Sequence, residues 1–392
     1  MRLALKILKW TLVTVLSLAL ISFGYIYFIY FAPPDEVSVM SQVNDNAWHK
    51  VSLGGKSLCS DGSEFAIFVK KGKSDNLIIH FSGGGACWDN ITCAKPISLL
   101  DIFDDSRDLK SFYFPSVSRA IPKILTGLND SENTSNAFRD WNMVFIPYCT
   151  GDLHIGNITN TYSWEGKTFQ VHHNGRNNTL AALEWVFSNF KNPDKVLVSG
   201  ESAGAYATAF WTPYVTNHYP NKKVYQLSDG ALLQSNRWNE ILDTVWQSES
   251  SSFLHFTIGK DIFEDALLSR NDSTRRKIKY LHSNTLYDQV LPRFSAVLNH
   301  QPTQSDDFIN KWSSDTRKSM KKLDDSNFDY HYFISDCGYD SLKHYTPHTL
   351  TNIQYYSCKV DQLSFADWLK KNVIDDESLS VGRRFLDSTG NK

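Results

Sequence analysis

Short aliphatic and β-branched runs alternate along the chain with longer amphipathic stretches, and this alternation sets the fold class. Phe65-Ala-Ile-Phe-Val69 and Leu77-Ile-Ile-His-Phe81 read as neighbouring strands joined by a turn over Lys70 to Asn76. Asn142 to Pro147, Lys195 to Ser199, Lys223 to Leu227, Lys277 to Leu281 and Phe328 to Ser335 read as further strands. Runs this apolar suit parallel strands covered on both faces rather than strands with one wet side. Asn174 to Phe190 sets Leu180, Leu183, Phe187 and Phe190 along one helical face, and Ser364 to Lys370 is a second amphipathic helix that should dock on the sheet. Strands alternating with helices predict an α/β domain with a mostly parallel sheet and helices on both faces.

The pattern fails in places that divide the chain. An uncharged run from Trp10 to Ala32 follows Arg2, Lys6 and Lys9 and ends in an aromatic belt before Pro33 and Pro34. At roughly 23 residues it is long enough to span a bilayer, so residues 1–35 are expected to be a transmembrane anchor, or failing that a signal sequence, and 36–54 a linker. The domain proper is expected over 55–372, with insertions at 97–140 and 232–275 and a polar tail at 373–392. A long loop such as the first insertion, beside a catalytic face, is a lid or a plain surface excursion.

Chemistry concentrates at two turns. Lys195-Val-Leu-Val-Ser-Gly200-Glu-Ser202-Ala-Gly204-Ala-Tyr-Ala207 runs from a strand through G-x-S-x-G into small residues that open a helix. A nucleophile elbow needs that order, because a serine on a tight strand-to-helix turn requires flanking residues without a Cβ. This makes the fold α/β-hydrolase-like and Ser202 the candidate nucleophile. The strand ending at Phe81 runs into Ser82-Gly83-Gly84-Gly85-Ala86-Cys87-Trp88, where bare backbone N–H groups could serve an oxyanion hole. The alternatives are an ordinary turn or an anion nest for phosphate, and the absence of a following Gly-Lys-Ser/Thr argues against a P-loop. Asp152 and His154 read as a pocket-shaping polar loop rather than a catalytic pair, and Trp88 as a pocket residue. The order Ser, acid, His leaves Asp229 and Asp288 as acids, with Asp288 ahead, and His331, His344 and His348 as bases. His331 lies inside a strand, where a structural histidine is the default, and spacing does not separate the other two.

Composition narrows the class. Lys+Arg 40 against Asp+Glu 42 gives a net charge of −2, which offers no basic surface for nucleic acid. The 11 Trp, 18 Tyr and 24 Phe suit a large core. The 6 cysteines include no C-x-x-C pair, which favours disulfides in an extracytoplasmic compartment over zinc. Proximity suggests Cys87 with Cys93 and Cys337 with Cys358, leaving Cys59 for Cys149. The chemistry calls for no cofactor, and no dense His/Asp/Glu cluster offers a metal site.

Phe81-Ser-Gly-Gly-Gly-Ala-Cys87-Trp-Asp, Tyr148-Cys-Thr-Gly-Asp152-Leu-His154, Gly200-Glu-Ser202-Ala-Gly204, Leu227-Ser-Asp229-Gly230 and His348-Thr-Leu to Ala366-Asp-Trp368 form five ordered blocks. In order and approximate spacing they resemble the bacterial branch of the pectin acetylesterase and Notum family, over roughly residues 55 to 370. The resemblance implies a Ser202, Asp288, His348 triad and an oxyanion hole at Gly84, Gly85 and Ala203. It also implies a serine carboxylesterase acting on an acylated glycan or another ester. Two rivals remain: a deacylase for lipid- or protein-linked acyl chains, and a surface binding protein on a hydrolase fold.

Overall fold

Apolar runs bounded by polar turns become strands, and the glycine and small-residue turns between them let helices return close over the sheet. The computed structural model describes residues 2–30, 33–44, 47–98, 109–303 and 305–387; within the first helix it describes side chains at 6 and 9–25 only. In chain order, helix α1 (Arg2–Tyr30) is followed by strands β1 (Trp48–Ser52), β2 (Ala66–Lys70) and β3 (Leu77–Phe81) and by the single turn α2 (Asn90–Cys93). Then come β4 (Asn142–Ile146), the hairpin β5 (Ile158–Trp164) and β6 (Lys167–His173), α3 (Gly175–Asn189), β7 (Lys195–Glu201), α4 (Ala203–His218) and β8 (Lys223–Asp229). The remainder supplies α5 (Ile262–Leu268), α6 (Asp272–Arg275), β9 (Ile278–Thr285), α7 (Leu291–Leu298), α8 (Asp307–Asp324) and β10 (Tyr330–Ser335). The ribbon β11 (Lys359–Val360) and β12 (Leu363–Ser364), α9 (Phe365–Val373) and α10 (Arg383–Asp387) close it.

The main sheet has 8 strands in the order β1-β2-β4-β3-β7-β8-β9-β10. From β4 to β10 every pairing is parallel, and only β1 and β2 add an antiparallel edge. Strand pleating sends alternate side chains to opposite faces and builds two cores. Val196, Val198 and Val224 pack with Leu183, Val186 and Phe210 of α3 and α4 on one face. Leu197, Tyr225 and Phe333 pack with Phe365, Trp368 and Leu369 of α9 on the other. The expected α/β layering with helices on both faces is therefore present.

Several expectations are corrected. β2 and β3 are not neighbours, because β4 lies between them, antiparallel to β2 and parallel to β3. Residues 48–52 of the expected linker form the edge strand β1, held by His49 and Val51, which are buried. The expected polar tail is anchored too: Val381 donates from its N–H to the Tyr332 carbonyl and bridges to Phe333, and Leu386 is buried. The 232–275 insertion joins the main core through Trp238, Ile241, Leu242 and Trp246. Part of the 97–140 insertion, residues 99–108, lies outside the described residues; beyond it, Phe112 and Tyr113 are buried.

The transmembrane helix is not supported. Among the described residues no helix is long and apolar enough to cross a membrane.

Candidate active site

Ser202 sits between the last residue of β7 and the first of α4, with φ 56° and ψ −121°, a conformation that strains a residue carrying a side chain. The turn exists because its flanks are bare. A Cβ on Gly204 would lie 1.9 Å from the Phe81 carbonyl oxygen, and one on Gly200 would lie 2.3 Å from the Gly204 oxygen. The N–H of Ser202 donates to the carbonyl of Asp229 at 2.8 Å, fastening the elbow to the end of β8.

The glycine loop lies against this turn. A Cβ on Gly83 would come 2.9 Å from the Ser202 Cβ. Gly84 (φ 154°) faces the Tyr148 ring, and Gly85 (φ 80°) bridges Tyr113 so closely that a Cβ would fall 1.8 Å from the Phe112 oxygen. Among the described residues the N–H groups of Gly84, Gly85 and Ala203 donate no hydrogen bond. Ala203 follows the serine directly, and Gly84 and Gly85 follow Gly83, which packs against it.

Of the two candidate acids, the structure pairs Asp288 with a histidine. His348 donates from Nδ1 to Asp288 Oδ2 at 2.6 Å, and its buried Nε2 has no hydrogen-bond partner among the described residues. The ring stands beside Gly230, where a Cβ would lie 3.3 Å from His348 Cε1, next to the Asp229 carbonyl that holds Ser202. Burial pulls the His348 pKa down, but the charge and hydrogen bond of Asp288 outweigh it and leave it raised. His331 pairs with Asp329 inside the sheet edge, and the exposed His344 with Asp306, so neither joins the group.

Asp229 does something the sequence did not reveal. Its Oδ2 accepts from the N–H groups of Leu350 and Thr351 and from the Thr351 hydroxyl at 2.6, 2.7 and 2.8 Å, and Oδ1 accepts from Ser283 at 2.6 Å. It therefore ties down the loop that carries His348. Burial raises its pKa against those hydrogen bonds.

Asp152 and His154 shape the loop above β4. Asp152 accepts from Thr150 Oγ1 and from the N–H groups of His154, Gly156 and Gly175, and burial still pushes its pKa to about 6. His154, held neutral by burial with a pKa of about 4, donates from Nε2 to the Ser82 carbonyl at 3.0 Å. Trp88 is buried against Phe112 and Phe294.

All three expected disulfides form: Cys59–Cys149, Cys87–Cys93 and Cys337–Cys358. Cys87, Cys93 and His173 lie close enough to hold a metal ion, but both thiols are spent in a disulfide.

A family model described as pectinacetylesterase matches residues 46–256. The chain belongs to that family. The matched span contains the elbow, the glycine loop and Asp229, whereas Asp288 and His348 lie beyond it. Pectin acetylesterase 11 of Arabidopsis thaliana is 27% identical over 155 residues, 38% of this chain and 36% of that protein. The palmitoleoyl-protein carboxylesterase NOTUM of Mus musculus is 23% identical over 218 residues, 52% of this chain and 40% of its own length. Its counterpart in Homo sapiens is 24% identical over 220 residues, again 52% and 40%. The chain thus spans well under half the length of these relatives.

Proposed function

We propose that this chain is a serine carboxylesterase that removes acyl groups, acetyl in particular, from a glycan or other ester. The observation that carries the reading is the half-buried His348, bound through Nδ1 to Asp288 at 2.6 Å with Nε2 unpaired, beside Gly230 at the end of β8, whose Asp229 carbonyl holds the strained Ser202. In this reading His348 Nε2 takes the Ser202 hydroxyl proton as Oγ attacks the ester carbonyl. The N–H groups of Gly84, Gly85 and Ala203 hold the developing oxyanion. His348 then passes the proton to the leaving alcohol, and a water activated by the same nitrogen frees the acid and restores Ser202. The three disulfides support a working place in an oxidising, extracytoplasmic compartment. Membership of the pectinacetylesterase family supports an acetylated glycan as substrate. The name of the NOTUM relatives, palmitoleoyl-protein carboxylesterase, favours a second reading in which the acyl chain is longer and protein- or lipid-linked.

The test is hydrolysis of p-nitrophenyl esters from acetate to palmitate by the purified protein beside Ser202→Ala. A serine-dependent rate peaking at acetate supports the first reading, and one peaking at long chains the second. No serine-dependent hydrolysis, with no fluorophosphonate label on Ser202, returns the chain to a binding protein on a hydrolase fold.

A further inference from the structure

Three consecutive glycines make the most pliable backbone a chain can have, and fixing each residue costs roughly 1–2 kcal/mol of conformational entropy. A loop of this kind presents its N–H groups in one direction only if something outside it holds it. The Gly83 N–H donates to Glu201 Oε1 at 3.0 Å. The other carboxyl oxygen of Glu201 lies 2.7 Å from Nε2 of His80, a buried ring whose Nδ1 pairs with Ser199 Oγ at 2.9 Å and which stacks on Phe145. On the far side of the same peptide, His154 holds the Ser82 carbonyl.

We propose that Glu201, with the buried His80 beside it, is a positioning residue that fixes the Gly83 peptide and so aims the Gly84 and Gly85 N–H groups at the oxyanion. A carboxyl group one residue from the nucleophile is otherwise counterproductive, because its charge opposes a developing negative oxygen. The Gly83 clamp is the compensating gain. Glu201 touches no reacting atom in this scheme; it acts on the oxyanion through the glycine loop, and its charge adds to the raising of the His348 pKa. The inference rests on the serine esterase reading above.

The experiment compares Glu201→Ala, Glu201→Gln and Glu201→Asp with the wild-type protein on the best p-nitrophenyl ester. It reads kcat and KM separately, together with inhibition by an aryl boronic acid, whose serine adduct places an anionic oxygen in the hole. Removing the acceptor should lower kcat about 10²-fold in Glu201→Ala with KM within about twofold, and weaken the boronic acid in parallel. Gln keeps an oxygen that can accept from Gly83 and should stay within about fivefold of wild type; Asp keeps the charge but withdraws the acceptor by one methylene and should lose at least about tenfold. If Glu201→Ala does not fold, the Gln and Asp pair decides between clamp and charge. A kcat for Glu201→Asp within about twofold of wild type, or Gln falling as far as Ala, overturns the clamp while leaving the esterase reading intact. A wild-type protein that neither hydrolyses esters nor takes a fluorophosphonate removes both.

Discussion

Asp288 and His348 are separated by 60 positions in the chain, yet Oδ2 of one accepts from Nδ1 of the other at 2.6 Å. Backbone sets this distance before the side chains meet. Asp288 forms a parallel bridge with Thr346, whose N–H donates to the Tyr287 carbonyl and whose carbonyl accepts from Gln289. The second carboxyl oxygen of Asp288 accepts from the N–H groups of Val290 and Leu291 at 2.7 and 2.9 Å, capping α7. One oxygen is therefore spent on the helix and the other on the imidazole.

Asp288→Asn should lower kcat by about 10³–10⁴-fold, because the amide no longer selects the tautomer or stabilises the imidazolium. The pH dependence carries a sign. His348 must be neutral to act as a base, and its raised pKa places the acid limb of kcat/KM above the ordinary histidine value of about 6.5. In the variant, burial acts without the opposing carboxylate, so the residual activity should persist to lower pH. An acid limb that stays in place in Asp288→Asn removes Asp288 from the role.

Gly85→Ala tests the oxyanion loop directly. The new Cβ would meet the Phe112 carbonyl at 1.8 Å, so the backbone must move and take the Gly85 N–H with it. Loss of one oxyanion donor costs about 10²–10³ in kcat, and a fall of that size with Ser202 still open to fluorophosphonate is the expected result. Hydrolysis at wild-type rate would exclude the loop from the reaction.

Asp229→Ala should act on the base without touching it. The substitution leaves the N–H groups of Leu350 and Thr351 buried and unpaired, at about 1–3 kcal/mol each, and frees the loop behind His348. Thermal unfolding should drop by several degrees and kcat by at least about tenfold. Asp229→Asn keeps an acceptor oxygen and should recover most of both. Equal losses in the two variants would mean that the charge, not the tether, matters.

Buried neutral histidines set the response to acid. His173 donates from Nδ1 to the Thr150 carbonyl and accepts the Tyr162 hydroxyl at Nε2, and burial lowers its pKa to about 4. The unfolded chain regains a value near 6.5, so as pH falls below about 6.5 the unfolded state takes up a proton that the folded state refuses until about 4. The stability present above 6.5 is lost across that window, about 3 kcal/mol by pH 4. Asp261, which burial raises to about 6, works in the opposite direction over the same range. The measurement is therefore a difference: urea midpoints of His173→Gln should fall less steeply with acid than those of wild type, and parallel curves would refute the assignment.

Local pattern carried the elbow, because every feature it needs lies within residues 195–207. The two glycines clear of Phe81 and of each other, the apolar strand and the small residues of α4 are all contiguous. The glycine loop was legible for the same reason. What sequence could not show are relations made across the sheet. β4 enters between β2 and β3, and the edge strand β1 lies in a stretch whose alternation is brief and flanked by Gly54 and Gly55. Asp229 looked like a rival acid because it ends a strand next to the serine; its partners at Leu350 and Thr351 lie far downstream. Glu201 and His80 carried no signal at all, since a glutamate in the variable place of G-x-S-x-G and a histidine in a strand are ordinary until β7 and β3 pair and bring them together.

The strand order has a consequence for the making of the protein. After β7, each later strand joins one growing edge, β8 on β7, then β9, then β10. A chain emerging from the ribosome amino end first can therefore set Ser202 on its turn against β3 while Asp288 and His348 are still unmade. The elbow can thus form before the pair that the proposed reading assigns to it. Under the esterase reading proposed above, a nascent or truncated copy would carry Ser202 without the Asp288–His348 pair.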